Sequence, residues 1–501
     1  MATRPMTGGS LADHRVRVGA RRLLLLWVAL TFFLLFYLYL ASVPGGDETE
    51  ALILFLAFVL GFLAVEPVLW RITNNQFDPF EPLVMFNVFF FLGYVLQAPI
   101  LLFWQDLFSA DYVLNVAKVQ STDNRLMLKA LVYAGIGLLC FLGGHGSGIG
   151  DWLVRRVGSL PASYRASRLT ATVVLYAVIG VGLFGVLVYQ EGGLGSLWSV
   201  LYSRFRVFEG KYYFVFGAFI FLSGLLLSLG VRHRGRAALF HFPMALISLL
   251  LFVSTGSRAY VLSMILSLIV VRHYLVSRLS LKKVVAIGLI LALIYVAYGT
   301  YFREYIIIGY LHADPYTGEI GTTFGERILK SLAAGSAIQL QQMMIVLTYY
   351  QGPRDWLYGS SFLNALAAPV PRAFWKEKPV ATSLIFTMKI SPNYWLYGGG
   401  TLPPSLLGEF VMQLGLLGLV AGALALGIIW RFWYSLLRLN SQKPGAVVLY
   451  AVTIPFLFHW MRGDSFTPTI AWLMLFLPIA FGLWVAGERS VARASAAPAQ
   501  E

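Results

Sequence analysis

The sequence is poor in most of what a water-soluble enzyme depends on. Only 12% of its 501 residues are charged, against roughly a quarter in ordinary soluble domains, while 58% are hydrophobic and mean hydropathy is +0.73. A soluble globule is excluded. There is one cysteine, Cys140, so no intrachain disulfide and no cysteine zinc site can form. Nucleotide motifs are missing as well: the Gly210-Lys211 pair is followed by Tyr212, which is no Walker A, and no GxGxxG opens a helix. Neither HExxH nor a DxD triplet occurs, so no metal and no organic cofactor is expected. The 48 glycines and 21 prolines are scattered, and no repeat of solenoid length is evident.

What the sequence has instead is apolar runs of membrane length. They fall at about 23–43, 51–70, 83–103, 126–144, 169–189, 213–230, 237–254, 259–276, 284–300, 406–430, 445–461 and 466–486. These predict an all-α, polytopic transmembrane bundle of about 12 spans forming a single integral membrane domain over 1–501. The first run is too long for a signal peptide and reads as a retained helix. With the N-terminus inside, Arg155, Arg156, Arg165, Arg168, Arg232, Arg234, Arg236, Arg272, Arg278, Lys282 and Lys283 fall in inner loops. Both termini are then cytoplasmic. The net charge of +15 becomes an orientation signal and implies no nucleic-acid partner. Glu66 and Lys129 sit near span ends, and Glu66 is placed to pair with Arg71. Segment 331–350 is long enough to cross, but Gln339, Gln341 and Gln342 would be penalised in hydrocarbon. It is read as non-spanning. Residues 301–405 thus become a large extracytoplasmic loop between spans nine and ten, holding amphipathic helices on or dipping into the outer leaflet.

Outer-face cations gather at helix mouths. In Ser254-Thr255-Gly256-Ser257-Arg258 a short polar turn opens a helix, so backbone N–H groups and Arg258 suit a phosphate as well as they suit a plain capped turn. Arg204 and Arg206, set among Tyr202, Phe205 and Phe208, suit adjacent phosphates or interfacial anchoring. Arg303, in Tyr301-Phe302-Arg303-Glu304-Tyr305, suits a phosphate, a headgroup or its glutamate neighbour.

The long loop contains Val370-Pro371-Arg372-Ala373-Phe374-Trp375-Lys376-Glu377-Lys378-Pro379. It ends in Gly398-Gly399-Gly400-Thr401-Leu402-Pro403-Pro404-Ser405-Leu406-Leu407-Gly408-Glu409-Phe410, running into Gly415, Gly418 and Gly422. This order of short patterns, with the turn at 254–258, resembles the Wzy-type polymerases of O-antigen and exopolysaccharide repeat units over roughly residues 190–465. The resemblance implies a GT-C type glycosyltransferase of the bacterial inner membrane. Such an enzyme transfers a growing glycan from undecaprenyl diphosphate to a new lipid-linked repeat unit on the periplasmic side. It also implies membrane lipids and a chain-length regulator protein as partners.

A lipid diphosphate is already a good leaving group and calls for charge neutralisation rather than a general acid. Arginine forks are the expected tools: Arg204, Arg206, Arg258, Arg303, Arg372 and Arg462, with Ser257 and Lys378 completing the substrate-binding set. The attacking hydroxyl needs a base. Glu409, at the outer mouth of span ten, is the first choice, then Asp464 in Arg462-Gly463-Asp464, then His459. Three alternatives remain. An O-antigen ligase would carry a histidine followed by Asn, Ser or Gln in its large loop, whereas His312 here precedes Ala313. A metal-dependent GT-C enzyme would use an acidic motif such as Asp47-Glu48-Thr49-Glu50. A flippase would move lipid-linked oligosaccharide without chemistry.

Overall fold

The computed structural model describes residues 34, 38, 48–103, 114–115, 117–120, 123–157, 160–161, 163–193, 212–231, 238–255, 257–296, 338–367, 374–393 and 401–488. Among them no strand forms; an isolated bridge joins Tyr164 and Gly487. The helices are α1 (Glu48–Thr73), α2 (Pro82–Phe103), α3 (Asn124–Gly146), α4 (Ile149–Arg156), α5 (Ala166–Gln190), α6 (Tyr212–Val231), α7 (Ala238–Ser254), α8 (Arg258–Leu275), α9 (Leu281–Val296), α10 (Gln339–Tyr349), α11 (Ser360–Ala367), α12 (Thr382–Ile390), α13 (Leu406–Leu439), α14 (Pro444–Arg462) and α15 (Phe466–Ala486). Eight of the described helices (α1, α2, α3, α5, α6, α13, α14 and α15) are long and apolar enough to cross a membrane, and α7 and α8 are shorter apolar helices. The chain is a polytopic helical membrane protein. Of the expected first span, only Leu34 and Leu38 are described.

Local signals set the helix starts. Asp123 accepts from Leu126 N–H at 2.9 Å to cap α3, and proline opens α2 and α14, where a missing N–H costs nothing. Inside α2, residues Phe91–Val95 form a π-turn closed by Leu96 N–H donating to Phe91 C=O at 2.9 Å.

Contacts sort the helix ends into two poles. At one, Arg71 binds Glu81 through two nitrogens, so Glu81 takes the place expected for Glu66. Asp78 accepts from Tyr274 at 2.7 Å and from Tyr434 at 3.2 Å, tying the α1–α2 turn to α8 and α13. Arg431 grips Asp151 through Nε and Nη2, each at 2.8 Å, joined by Ser435. Arg165 N–H and Arg168 reach the backbone of Ala486 and Val485. This pole gathers the basic inner-loop residues, among them Arg155, Arg156, Arg272, Arg278, Arg438 and Lys443. Burial pushes the Asp151 carboxyl up, but the hydrogen bonds and charge of Arg431, with Ser435, outweigh it and hold it below the usual carboxylate range. A carboxyl depressed on folding stabilises above its unfolded pKa and loses that contribution as pH falls through the folded one. Asp151→Asn is therefore expected to lower the thermal midpoint at neutral pH, and the gap to the parent to close below about pH 4, as followed by thermal melts across pH.

Two short helices enter the bundle from the opposite pole without crossing. Helix α10 has 11 residues, of which Gln339–Leu347 are all buried, and at 1.5 Å per residue spans about half the hydrocarbon. This long-loop helix, expected on or dipping into the outer leaflet, does not cross, and it lies in the interior of the bundle rather than against lipid. Its glutamines escape hydrocarbon because protein surrounds them. The second is the start of α13. Backbone dihedrals at Leu414 and Gly415 (φ +61°) leave the helical region and split α13 into 406–413 and 416–439. In a straight helix Phe410 and Gly418 would lie about 12 Å apart, yet a Cβ on Gly418 would overlap the Phe410 carbonyl oxygen, and one on Gly422 would enter the Phe410 ring. The chain folds back on itself. The spaced glycines of this span therefore make room for the preceding half-helix, and the single span expected at 406–430 is a half-helix plus a full one.

Candidate functional site

The 406–413 half-helix carries Glu409, and the residues gathered on it come from three other segments. Its Oε1 accepts from Ser361 Oγ at 2.5 Å, Ser465 Oγ at 2.7 Å and Thr382 Oγ1 at 3.1 Å, while Oε2 accepts from Ser465 N–H at 2.6 Å. Next to it, Asp464 Oδ2 accepts from Ser383 N–H at 2.8 Å, and Oδ1 from Thr467 N–H at 3.0 Å, capping the first turn of α15. Gln413 extends the network: its Nε2 donates to Ser361 Oγ at 2.7 Å and its Oε1 accepts from Gly359 N–H at 2.8 Å. Leu357 and Tyr358 N–H groups then close the carbonyls of Met412 and Gln413, the last turn before the break. Glu409 is 0% exposed and Asp464 2%.

This placement corrects one expectation. Glu409 does not stand open at an outer helix mouth; it is the centre of a buried polar knot, and every donor on it is uncharged. In this arrangement a substrate hydroxyl has no approach to either of its oxygens. The carboxylate's demonstrable work is to join α11, α12, α13 and the α14–α15 turn, which it does with more hydrogen-bond capacity than any neutral side chain of its size.

The other expected residues divide in two. His459 Nε2 shares a hydrogen bond of 2.5 Å with Ser263 Oγ, and the ring also bonds the Ala259 backbone. That links α14 to the first turn of α8, so His459 lies beside the Ser257–Arg258 turn. Arg462, one turn later, presents its carbonyl to Gln342 Nε2 at 3.3 Å. Thus His459, Arg462, Asp464 and Glu409 lie along one continuous seam. The Ser257 turn differs from expectation: Ser257 N–H is taken by Thr255 Oγ1 at 3.2 Å, so not every amide there is open to a phosphate. Lys378 is half-buried in a turn closed by its N–H to the Trp375 carbonyl at 3.2 Å. Arg204, Arg206, Arg303, Arg372 and the Arg258 side chain lie outside the described residues.

Reading the sequence alone misses the neutral partners. Ser361, Thr382, Ser383, Ser465 and Gln413 belong to no motif themselves, and they meet only in the fold. Among the described residues no group of three His, Cys, Asp or Glu is placed to hold a metal ion. Comparison with protein-family models, with curated proteins and with solved structures returns no match.

Proposed function

We propose that the chain is a Wzy-type polymerase, an inner-membrane glycosyltransferase. It would transfer a growing glycan from undecaprenyl diphosphate to a new lipid-linked repeat unit at the pole opposite the basic one. One observation carries this reading: Glu409, in the Gly-rich segment quoted for the resemblance, gathers Ser361, Thr382 and Ser465 beside Asp464 in one polar knot toward that pole. The excess of basic residues at the other pole supports its orientation toward the cytoplasm.

In the transfer the anomeric carbon–oxygen bond to the diphosphate breaks, a new bond forms to the acceptor oxygen, and the acceptor hydroxyl's proton passes to the departing diphosphate. Negative charge grows on the leaving diphosphate, which arginines held near the membrane surface stabilise. Arg462, Lys378, Arg204, Arg206, Arg258, Arg303 and Arg372 are assigned that work. Glu409 and Asp464 are assigned to positioning, since their oxygens are already engaged.

The test is chain lengthening by the purified protein in detergent, supplied with lipid-linked repeat units. A ladder of products is expected. Unchanged length, with transfer of those units across vesicles, would replace the reading with a flippase, and product on a lipid A core acceptor would replace it with a ligase. Arg258→Ala and Arg303→Ala are each expected to slow lengthening about 100-fold while single units are still made and exported. Normal long-chain glycan from either variant would remove the diphosphate clamp.

A further inference from the structure

The two inward half-helices meet. Gln339, the first residue of α10, lies against Gly93 so closely that a Cβ there would overlap its amide oxygen. Ser405, which caps the 406–413 half-helix through its Oγ and Gly408 N–H at 3.2 Å, lies 3.4 Å from Tyr94 Oη. Gly93 and Tyr94 are adjacent in the π-turn midway along α2. Both half-helices therefore point their N-terminal ends, the positive ends of their dipoles, at the middle of one span. Broken helices meeting at mid-membrane are a recurring way to hold a polar ligand there.

A second observation points to a ligand. The amide oxygens of Gln339, Gln341 and Gln342 have no hydrogen-bond partner, and the three residues are 3%, 0% and 1% exposed. Three unpartnered acceptors in one buried helical turn are costly unless something donates to them. Two of them are held through their nitrogens: Gln341 Nε2 donates to Gln97 Oε1 at 3.4 Å and Gln342 Nε2 to the Arg462 carbonyl at 3.3 Å. Ser405 adds a φ of +62° with ψ of 158°, a backbone region nearly confined to glycine, of the kind found at ligand sites.

The chemistry of the set selects its ligand. Uncharged acceptors lie next to the N-terminal ends of two half-helices, and among the described residues no carboxylate is bonded to the three glutamines. A hydroxyl both donates and accepts, and an array of hydroxyls matches such a set. We infer that the junction of α10, the π-turn of α2 and Ser405 is a binding site for the hydroxyls of an uncharged sugar ring. Its occupant as the glycan of a lipid-linked unit rests on the polymerase reading.

The chain's single cysteine makes the test clean. In a Cys140→Ala background, Gln339→Cys and Gln342→Cys are exposed to a small neutral methanethiosulfonate, with Leu340→Cys and Met344→Cys, equally buried, as controls. The two glutamine positions are expected to react faster than the controls. Lipid-linked oligosaccharide from the source membranes, at ten times its Kd, is expected to slow that reaction about tenfold, whereas bare undecaprenyl diphosphate leaves it unchanged. Equal reactivity at all four positions, or none at any, overturns the site. Reactivity without protection means water alone, and equal protection by the bare carrier means lipid; either overturns the sugar. A second variant guards against misfolding: Gln339→Met, nearly isosteric, is expected to raise the thermal midpoint by about 3 °C and to abolish protection. A lowered midpoint makes the amide structural and overturns the proposal. Protection without chain lengthening leaves this site standing and removes the polymerase; lengthening without protection does the reverse.

Discussion

Gly144→Val and Gly427→Val are each expected to leave no monodisperse protein on size-exclusion chromatography in detergent. Helices α3 and α13 cross there with their backbones in contact. A Cβ on Gly144 would overlap the Leu424 carbonyl oxygen and come within 2.9 Å of its carbon, and a Cβ on Gly427 would overlap the Phe141 carbonyl oxygen and stand 2.7 Å from the His145 nitrogen. These are backbone atoms in the middle of helices, so no rotamer change relieves the overlap. The helices would have to separate by about an ångström or more along the whole crossing. In a membrane that loss is serious, because association of spans rests on close packing and not on expulsion of water. Alanine at either site costs about 3 kcal/mol by the usual measure of overpacking, and valine more. The neighbouring position reverses the sign. A Cβ on Gly143 would meet only a Leu424 methyl, at 3.8 Å, so Gly143→Ala is expected to keep or slightly raise the thermal midpoint, since alanine favours helix by about 0.8 kcal/mol over glycine. Folded Gly427→Val protein with a parental midpoint would refute the crossing.

The same contrast between neighbouring residues explains what was legible in the sequence. Long apolar runs such as 169–189 declare a helix because lipid imposes one requirement on every residue of a span, and the two sets of charges at their ends declare the poles. Neither signal reports what happens inside the bundle. Gln339, Gln341 and Gln342 read as an obstacle to membrane insertion, which is right for a helix facing lipid; packed against α2 and α14, they become interior groups instead. Gly415, Gly418 and Gly422 read only as spaced glycines within one uninterrupted span. They serve a reversal within their own segment, a difference that rests on the dihedrals of Leu414 and Gly415 and on which atoms the spaced glycines meet. Glu409 was visible as an unusual acid after a glycine. Its four donors were not, since they lie up to 56 residues away in sequence and are serines, a threonine and a backbone amide of ordinary composition.

Glu409 separates the structural from the chemical use of one carboxylate. Glu409→Ala is expected to destabilise the protein by about 4 kcal/mol, combining the cavity left at a fully buried site with the loss of the acceptor for Ser465 N–H. The three hydroxyls can rotate toward other acceptors, but the backbone amide cannot, so part of the cost is unavoidable. Glu409→Gln keeps the shape. Its carbonyl oxygen can face Ser465 N–H while the two hydrogens of its amide go to the hydroxyl oxygens of Thr382 and Ser465, each of which can accept as well as donate. The expected cost is about 1 kcal/mol, within the range of a single exchanged hydrogen bond. Thermal melts and chain lengthening on both variants then decide the role. If Glu409 positions the four segments, Glu409→Gln retains most of the lengthening rate and Glu409→Ala loses it together with the fold. A Glu409→Gln protein that melts like the parent yet makes no ladder would assign the carboxylate to proton transfer, reached through a rearrangement that uncovers it. A Glu409→Ala protein with an unchanged midpoint would show that the knot contributes little to holding these helices, and the anchoring role would fall.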